Sequence, residues 1–236
     1  AVDYENLTAT AGNPSVEPIR SNSFDLSYEY YYKRDALFSL AVFHKDIDST
    51  LALEDNQRTE LINGEEFSIR SYANQEGTKI QGVEIALQHV LDIPGFWSNF
   101  GFGANYTFTD EDTELLDQEG DPIPRARLSK HSYNISAFYD DGKLSIRLAY
   151  NWRDDFVRRQ KVTLGAGSSY QLPEWEKARG QLDLSINYSF NPTLKLNLSA
   201  VNLNRSRTVR YMKYEALQNY LAQSGARYTI SLIQRF

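Results

Sequence analysis

The stretch that decides the fold is QLDLSINYSFNPTLKLNLSA, residues 181–200. Apolar side chains occupy every second position up to Phe190, and the alternation resumes after Asn191-Pro192. This period of two predicts two β-strands joined by a turn, each with one apolar and one polar face. In a soluble protein the apolar face packs on another sheet or on helices, whereas in an outer membrane it contacts lipid. The rest of the chain has to decide between these two environments.

Composition excludes several classes of protein. With 236 residues, 41% hydrophobic and 24% charged, the chain has the composition of a folded protein. The mean hydropathy is −0.53 and no apolar run is long enough for a membrane-spanning helix, but a spanning strand needs only about 10 residues, half of them polar. A net charge of −6 argues against a nucleic-acid-binding surface, and the absence of Cys excludes disulfides and a thiol nucleophile. The N-terminus lacks the features of a signal peptide, so any export signal was removed or lies upstream.

Period-two patterns occur in nine segments, each about as long as a tilted membrane strand. All but the last form pairs with short connections, such as Asp140-Asp141-Gly142, which predicts a tight hairpin turn. Short connections alternate strictly with long ones rich in charge, Gly and Pro, and this pattern is typical of an outer-membrane barrel with short periplasmic turns and long extracellular loops. The segments are 23–33, 36–47, 79–91, 99–110, 131–139, 143–152, the two within 181–200, and 226–236; the long connections are roughly 48–78, 111–130, 153–179 and 203–225.

The apolar set of these strands is predicted to face lipid and the polar set a wet interior. The 16 Tyr, 12 Phe and 3 Trp residues cluster near the strand ends, as expected for aromatic belts at the two membrane interfaces. Gln234 falls on the supposed lipid face. One long connection is predicted to hold a short helix, since Tyr214, Leu217 and Leu221 follow helical spacing before Gly225. The predicted lipid-facing residues include Leu182, Leu184, Ile186, Leu194, Leu196, Leu198, Phe100 and Phe102.

Several stretches resemble the C-terminal barrel region of TonB-dependent outer-membrane receptors. They include LSKHSYNISAFYDDGKLSIRLAYNWRDDF (128–156), GQLDLSINYSF (180–190) and the final YTISLIQRF (228–236), and the resemblance covers nearly the whole chain. LSKHSYN and RLAYNWRDDF resemble the Xanthomonas–Caulobacter type, many of which are thought to import glycans. The resemblance implies the last nine strands of a 22-stranded barrel, with residues 1–21 as an extracellular loop and with the plug domain, the TonB box and the earlier strands absent from this chain. Phe236 resembles the signal that the barrel-assembly machinery reads.

The function implied by this resemblance is active transport across the outer membrane of a Gram-negative bacterium. Such a receptor binds a scarce ligand and imports it with energy coupled through the TonB complex. An oligosaccharide is the favoured ligand, with a siderophore or another chelate as the alternative. The implied partners are outer-membrane lipid, the plug and upstream strands of the same receptor, the TonB complex and the barrel-assembly machinery. A passive porin-like or structural barrel is the second interpretation, and a soluble all-β binding module is the third.

The residues that could catalyse a reaction or bind a metal show no pattern typical of an enzyme. No G-x-S-x-G motif is present, the three His residues lack metal-ligand spacing, and neither a metal nor a cofactor is predicted. The acidic connection 111–130 lacks the order of a calcium loop and is interpreted as solvated charge. Ligand contact is predicted for Trp175 and Tyr170 with their neighbours Glu174 and Gln171, because aromatic faces and polar groups together recognise a sugar ring.

Overall fold

The computed structural model describes residues 2–164 and 170–235, which form fifteen β-strands and one short 3-10 helix. Phe236, the predicted assembly signal, lies outside the described residues. No helix in the described part of the chain is long and apolar enough to cross a membrane. The strands are β1 (Val2–Asp3), β2 (Thr8–Thr10), β3 (Ser21–Lys33), β4 (Ala36–Ile62), β5 (Glu65–Val90), β6 (Phe100–Thr113), β7 (His131–Asp140), β8 (Leu144–Arg153), β9 (Phe156–Thr163), β10 (Gln171–Glu176), β11 (Arg179–Ser189), β12 (Leu194–Val201), β13 (Arg207–Met212), β14 (Gln218–Gln223) and β15 (Arg227–Gln234); the helix is Gly95–Asn99.

Nine of these strands form one antiparallel meander. Their order is β3-β4-β5-β6-β7-β8-β11-β12-β15, and every neighbouring pair is antiparallel. Each of the nine predicted segments corresponds to one of these strands, so the predicted all-β meander is confirmed. The short connections lie at one end of this sheet, the turn end, and the long ones at the opposite end, the loop end.

The strand register places the apolar residues of the meander on a single face. Leu184 lies opposite Leu148 and Ala200, and Leu196 lies opposite Tyr188 and Leu232. Directly opposed residues project from the same face of a sheet, so the apolar surface runs without interruption across all nine strands. Gln234 lies opposite Leu194, at the margin of this face. The eight residues predicted to contact lipid all lie on this apolar face, and their contact with lipid stays a prediction: Leu182, Leu184, Ile186, Leu194, Leu196, Leu198, Phe100 and Phe102.

The opposite face is polar. Asn105, Asn134, Asn151 and Gln181 lie opposite one another on four successive strands, and the Asn134 amide donates to Asn105 Oδ1 at 2.8 Å. This face also holds the ring of Phe138, which lies over Gly101 in the space that a Cβ would need. The ring is therefore accommodated on the polar face because its neighbour has no side chain.

The turn end has the chemistry expected of a membrane interface. Asp141 Oδ1 accepts hydrogen bonds from the backbone amides of Lys143 and Leu144, and Gly142 takes a φ of +85° in the turn between β7 and β8. Nearby, four aromatic rings pack together with centroid separations of 5.0 to 5.7 Å. They belong to Phe96, Trp97, Phe100 and Tyr139.

The long connections contain far more β-structure than the sequence predicted. Strands β4 and β5 continue past residues 47 and 79 to a turn at Asn63-Gly64. The connections 153–179 and 203–225 supply a four-stranded sheet in the order β14-β13-β10-β9. The predicted helix is wrong, because residues 218–223 form strand β14, which pairs with β13. The helical spacing there combines two residues of a turn with one residue of a strand, and the backbone hydrogen bonds to β13 decide the structure.

The N-terminal segment is also more ordered than a simple loop. Strand β2 pairs in parallel with residues 68–70 of β5, on the same edge that β6 occupies further along the strand. Ala9 packs with Phe67 and Ile69 in a small core, and all three are buried. This core holds the N-terminal segment against the projecting β4–β5 hairpin.

Candidate functional site

The four-stranded sheet continues the meander beyond its loop end. Strand β9 follows β8 after two residues, β10 precedes β11, β13 follows β12, and β14 precedes β15. The strand order of the smaller sheet therefore repeats the order of the four meander strands that carry it. Two register shifts between β9 and β10 accompany the change from one sheet to the other. The predicted ligand residues lie in or beside β10, at the centre of this smaller sheet.

Glu174 is buried in β10 and is held by internal contacts. Arg158 Nη1 donates to its Oε2 at 2.6 Å, and Asn219 Nδ2 donates to its Oε1 at 2.8 Å. Burial raises the pKa of this carboxyl, but the hydrogen bonds from Arg158 and Asn219 outweigh it and hold the pKa below its usual value. Both carboxylate oxygens are thus used within the protein.

Trp175 projects from the opposite face of the same strand, because successive side chains of a strand alternate. Its ring is parallel to that of Tyr211 within 8°, with centroids 6.5 Å apart. The Tyr211 hydroxyl donates to Asp155 Oδ2 at 3.3 Å, and burial together with that carboxylate raises the pKa of Tyr211. The structure therefore separates Trp175 from Glu174 and gives its ring a protein partner.

The acidic connection between β6 and β7 binds a lysine. Lys213 Nζ lies 2.6 Å from Asp117 Oδ2, 2.6 Å from Glu119 Oε2 and 2.5 Å from Asp121 Oδ2, and its side chain is only 12% exposed. We call these four residues the lysine clasp. The three carboxylates have the spacing of a metal site, but the ammonium group lies among them. The interpretation as purely solvated charge is therefore wrong, because the turn between β13 and β14 brings a lysine to this connection.

Tyr170 and Gln171 contact the same acidic connection. The Tyr170 hydroxyl donates to Glu119 Oε1 at 2.5 Å, and the backbone amide of Gln171 donates to Gln118 Oε1 at 2.9 Å. The hydrogen bonds from Lys213, Tyr170 and Tyr214 lower the pKa of Glu119 to about 2. Three connections of the loop end, those after β6, β9 and β13, thus meet at the lysine clasp. The four predicted ligand residues are divided between this clasp and the two faces of β10, and their ligand role stays a prediction.

The smaller sheet carries basic residues that were not among the predicted site residues. Strands β9 and β13 carry five of them, whereas β10 carries two acidic residues and β14 carries none. Two local runs, VRRQK at 157–161 and RSRTVR at 205–210, signal this charge within an acidic chain. Lys161 Nζ also lies 3.2 Å from Glu54 Oε1, which joins β9 to the β4–β5 hairpin. The five basic residues are Arg158, Arg159, Lys161, Arg207 and Arg210.

Comparison with known families decides the identity of this fold. The family described as TonB dependent receptor-like, β-barrel, matches residues 2–203. The chain belongs to this family. Receptor barrels of this family are outer-membrane transport proteins of Gram-negative bacteria, so the predicted location and the prediction that the chain is not an enzyme are both confirmed. No curated protein matches the sequence.

Solved receptor structures share the fold at low sequence identity. The siderophore receptor PirA from Acinetobacter baumannii is 19% identical, with a TM-score of 0.66 over 96% of this chain and 33% of that one. A mutant of the ferric enterobactin receptor PfeA from Pseudomonas aeruginosa is 16% identical, with a TM-score of 0.64 over 96% of this chain and 32% of that one. The ferric-catecholate import receptor Fiu from E. coli K12 is 14% identical, with a TM-score of 0.62 over 94% of this chain and 29% of that one. The chain thus spans about a third of these receptor structures.

Proposed function

We propose that this chain is the C-terminal part of a receptor barrel that takes up an anionic metal chelate of the ferric siderophore class, with energy coupled through TonB. The supporting observation is the basic surface of the β9–β10–β13–β14 sheet in a chain of net charge −6. Arg159 has 60% of its side chain exposed, and Arg207 is exposed at the start of β13. Exposed guanidinium groups at an extracellular mouth attract an anionic complex and form charge-assisted hydrogen bonds to it.

An oligosaccharide is less well supported. The three similar receptors are named for siderophores, ferric enterobactin or ferric catecholates. Moreover, Glu174 is committed to Arg158 and Asn219, so it does not offer free oxygens to sugar hydroxyls. We therefore favour the chelate. The proposed ligand contacts in this sheet are Trp175, Tyr170, Glu174 and Gln171.

The remaining parts of the receptor follow from the open edges of the meander. Strand β3 pairs only with β4, and β15 pairs only with β12, within the described residues. Unpaired backbone groups at a sheet edge are costly in hydrocarbon, so we propose that upstream strands of the same receptor close the barrel. We further propose lipid contact on the apolar face, a plug domain inside the barrel, coupling to TonB, and assembly by the barrel-assembly machinery.

Ligand binding to the full-length receptor tests the proposal. Titration calorimetry with ferric enterobactin and with a neutral oligosaccharide separates the two ligand classes. The Arg159→Gln, Arg207→Gln double variant should weaken chelate binding, whereas Lys33→Gln, at the turn end, should leave it unchanged. Binding of the oligosaccharide alone would overturn the chelate assignment. Uptake that persists after the proton-motive force is collapsed would support the passive porin instead.

A further inference from the structure

A cavity of about 170 Å³ lies at the loop end, between the β4–β5 hairpin, the end of β6 and strand β9. Thr78 and Glu111 line it from the polar face of the meander, and Arg125 lines it from the connection between β6 and β7. Gln75, Glu76 and Gln160 complete its polar wall. The volume exceeds that of one water molecule, about 30 Å³ in the liquid, several times over.

Arg125 is the unusual member of this wall. Its Nη1 is buried without a hydrogen-bond partner, and among the residues whose side chains the structure describes no carboxylate oxygen lies within 4.0 Å of a guanidinium nitrogen of Arg125. Arg125 as a whole is half-buried, but a buried guanidinium nitrogen without a hydrogen-bond partner is unfavourable, whereas one with its hydrogen bond made is tolerated.

The backbone around Arg125 is fixed, so the side chain cannot easily be withdrawn. The Arg125 amide donates to Glu111 Oε2 at 2.7 Å, and two residues later the Arg127 amide donates to the Val157 carbonyl at 2.7 Å. Glu111 Oε1 in turn accepts a hydrogen bond from Thr78 Oγ1 at 2.8 Å. Both oxygens of Glu111 thus have donors already, and moving this carboxylate to Arg125 would break the contacts that position the segment.

We infer that this cavity is a binding site for a small carboxylate, held by the guanidinium of Arg125. The planar fork of arginine matches the two oxygens of a carboxylate. Gln75 and Gln160 also line the wall, where their side-chain amides donate to Glu54 Oε1 and to the Pro124 carbonyl. Glu76 and Glu111 line the same cavity, so their charges favour a singly charged anion over a phosphate dianion. The site stands independently of the ligand that the receptor imports.

The thermal stability of the purified full-length receptor tests this site, because a ligand that binds only the folded state raises the melting temperature. The probe is sodium acetate, compared with sodium chloride at equal ionic strength and neutral pH. The wild type should show a saturable rise in melting temperature. Arg125→Gln should weaken the apparent acetate affinity by about tenfold or more, since it removes hydrogen bonds to a charged group.

Arg127→Gln is the matched control, because Arg127 is exposed, lies two residues away and is absent from the cavity wall; its acetate response should equal that of the wild type. Arg125→Lys keeps the charge and loses the fork, so it should bind acetate more weakly than the wild type even if Arg125→Gln fails to fold. An absent acetate response in the wild type, an unchanged response in a folded Arg125→Gln or Arg125→Lys variant, or a larger response to phosphate would each overturn the assignment.

Discussion

An arginine introduced on the apolar face of the meander should weaken membrane insertion, whereas one on the polar face should be tolerated. Leu184 is suited to the first substitution because it lies between Leu148 and Ala200, with Leu182 and Ile186 before and after it on the same face. A charge near the bilayer midplane on the lipid side of a barrel costs about 2–4 kcal/mol. Leu184→Arg should therefore lower the equilibrium constant for insertion by roughly 30- to 1,000-fold.

Asn187→Arg, on the same strand, is the comparison. Asn187 lies on the polar face opposite Ser145 and Asn197, so the new charge should change the folding free energy by about 0.5 kcal/mol or less. Leu184→Ala separates the loss of apolar surface from the burial of charge. Urea titrations of the full-length receptor in lipid vesicles give the three free energies. Similar costs for Leu184→Arg and Asn187→Arg would refute the assignment of the apolar face to lipid.

Three further predictions concern the loop end and the sheet edges. Lys213→Gln should remove the ion pairs of the lysine clasp and raise hydrogen exchange at residues 114–121. Lys177→Gln, which removes an exposed ion pair with Glu215, should not raise it. Equal exchange in both variants would contradict the role of the clasp. The pKa of Glu119 is lowered to about 2, so its contribution to stability is complete above the unfolded-state pKa and is lost as the pH falls from 4.5 towards 2. Hydrogen exchange at residues 114–121 should therefore rise in that pH window and not near neutral pH. Residues 1–236 expressed alone should give no heat-resistant monomer on a gel, because the edges of β3 and β15 stay unpaired; a discrete heat-modifiable band would show that they close.

The nine meander strands could be predicted because their two faces differ in polarity along their whole length. One apolar face and one polar face impose a strict alternation, and that alternation is visible without any knowledge of neighbours. Residues 194–198 illustrate the alternation, since one polar residue separates each leucine from the next. The prediction of a tight turn at Gly142 had an equally local cause, namely a residue that accepts a positive φ.

The strands of the smaller sheet lack such a signal. Their side chains meet water and one another, so β9 and β13 are held by backbone pairing and by ion pairs between residues distant in sequence, such as Arg158 with Glu174. The structure places Trp175 and Glu174 on opposite faces of β10, which the sequence read as a loop did not indicate; their ligand role stays a prediction. Neighbours in a loop can face one ligand together, but neighbours in a strand point to opposite faces. The lysine clasp was equally hidden, because only the fold brings Lys213 to Asp117.

The continuation of the meander into the smaller sheet has a mechanical consequence. The four crossings between the two sheets lie at residues 154–155, 177–178, 202–206 and 224–226, and they interrupt strand pairing at the same level of the wall. Above this level β9, β10, β13 and β14 are cross-braced by hydrogen bonds and by the contact of Lys213 with the acidic connection. The four strands of the smaller sheet should therefore respond to a change as a unit, because backbone pairing runs through all four of them and Lys161 and Lys213 tie the outer part of that sheet to neighbouring connections.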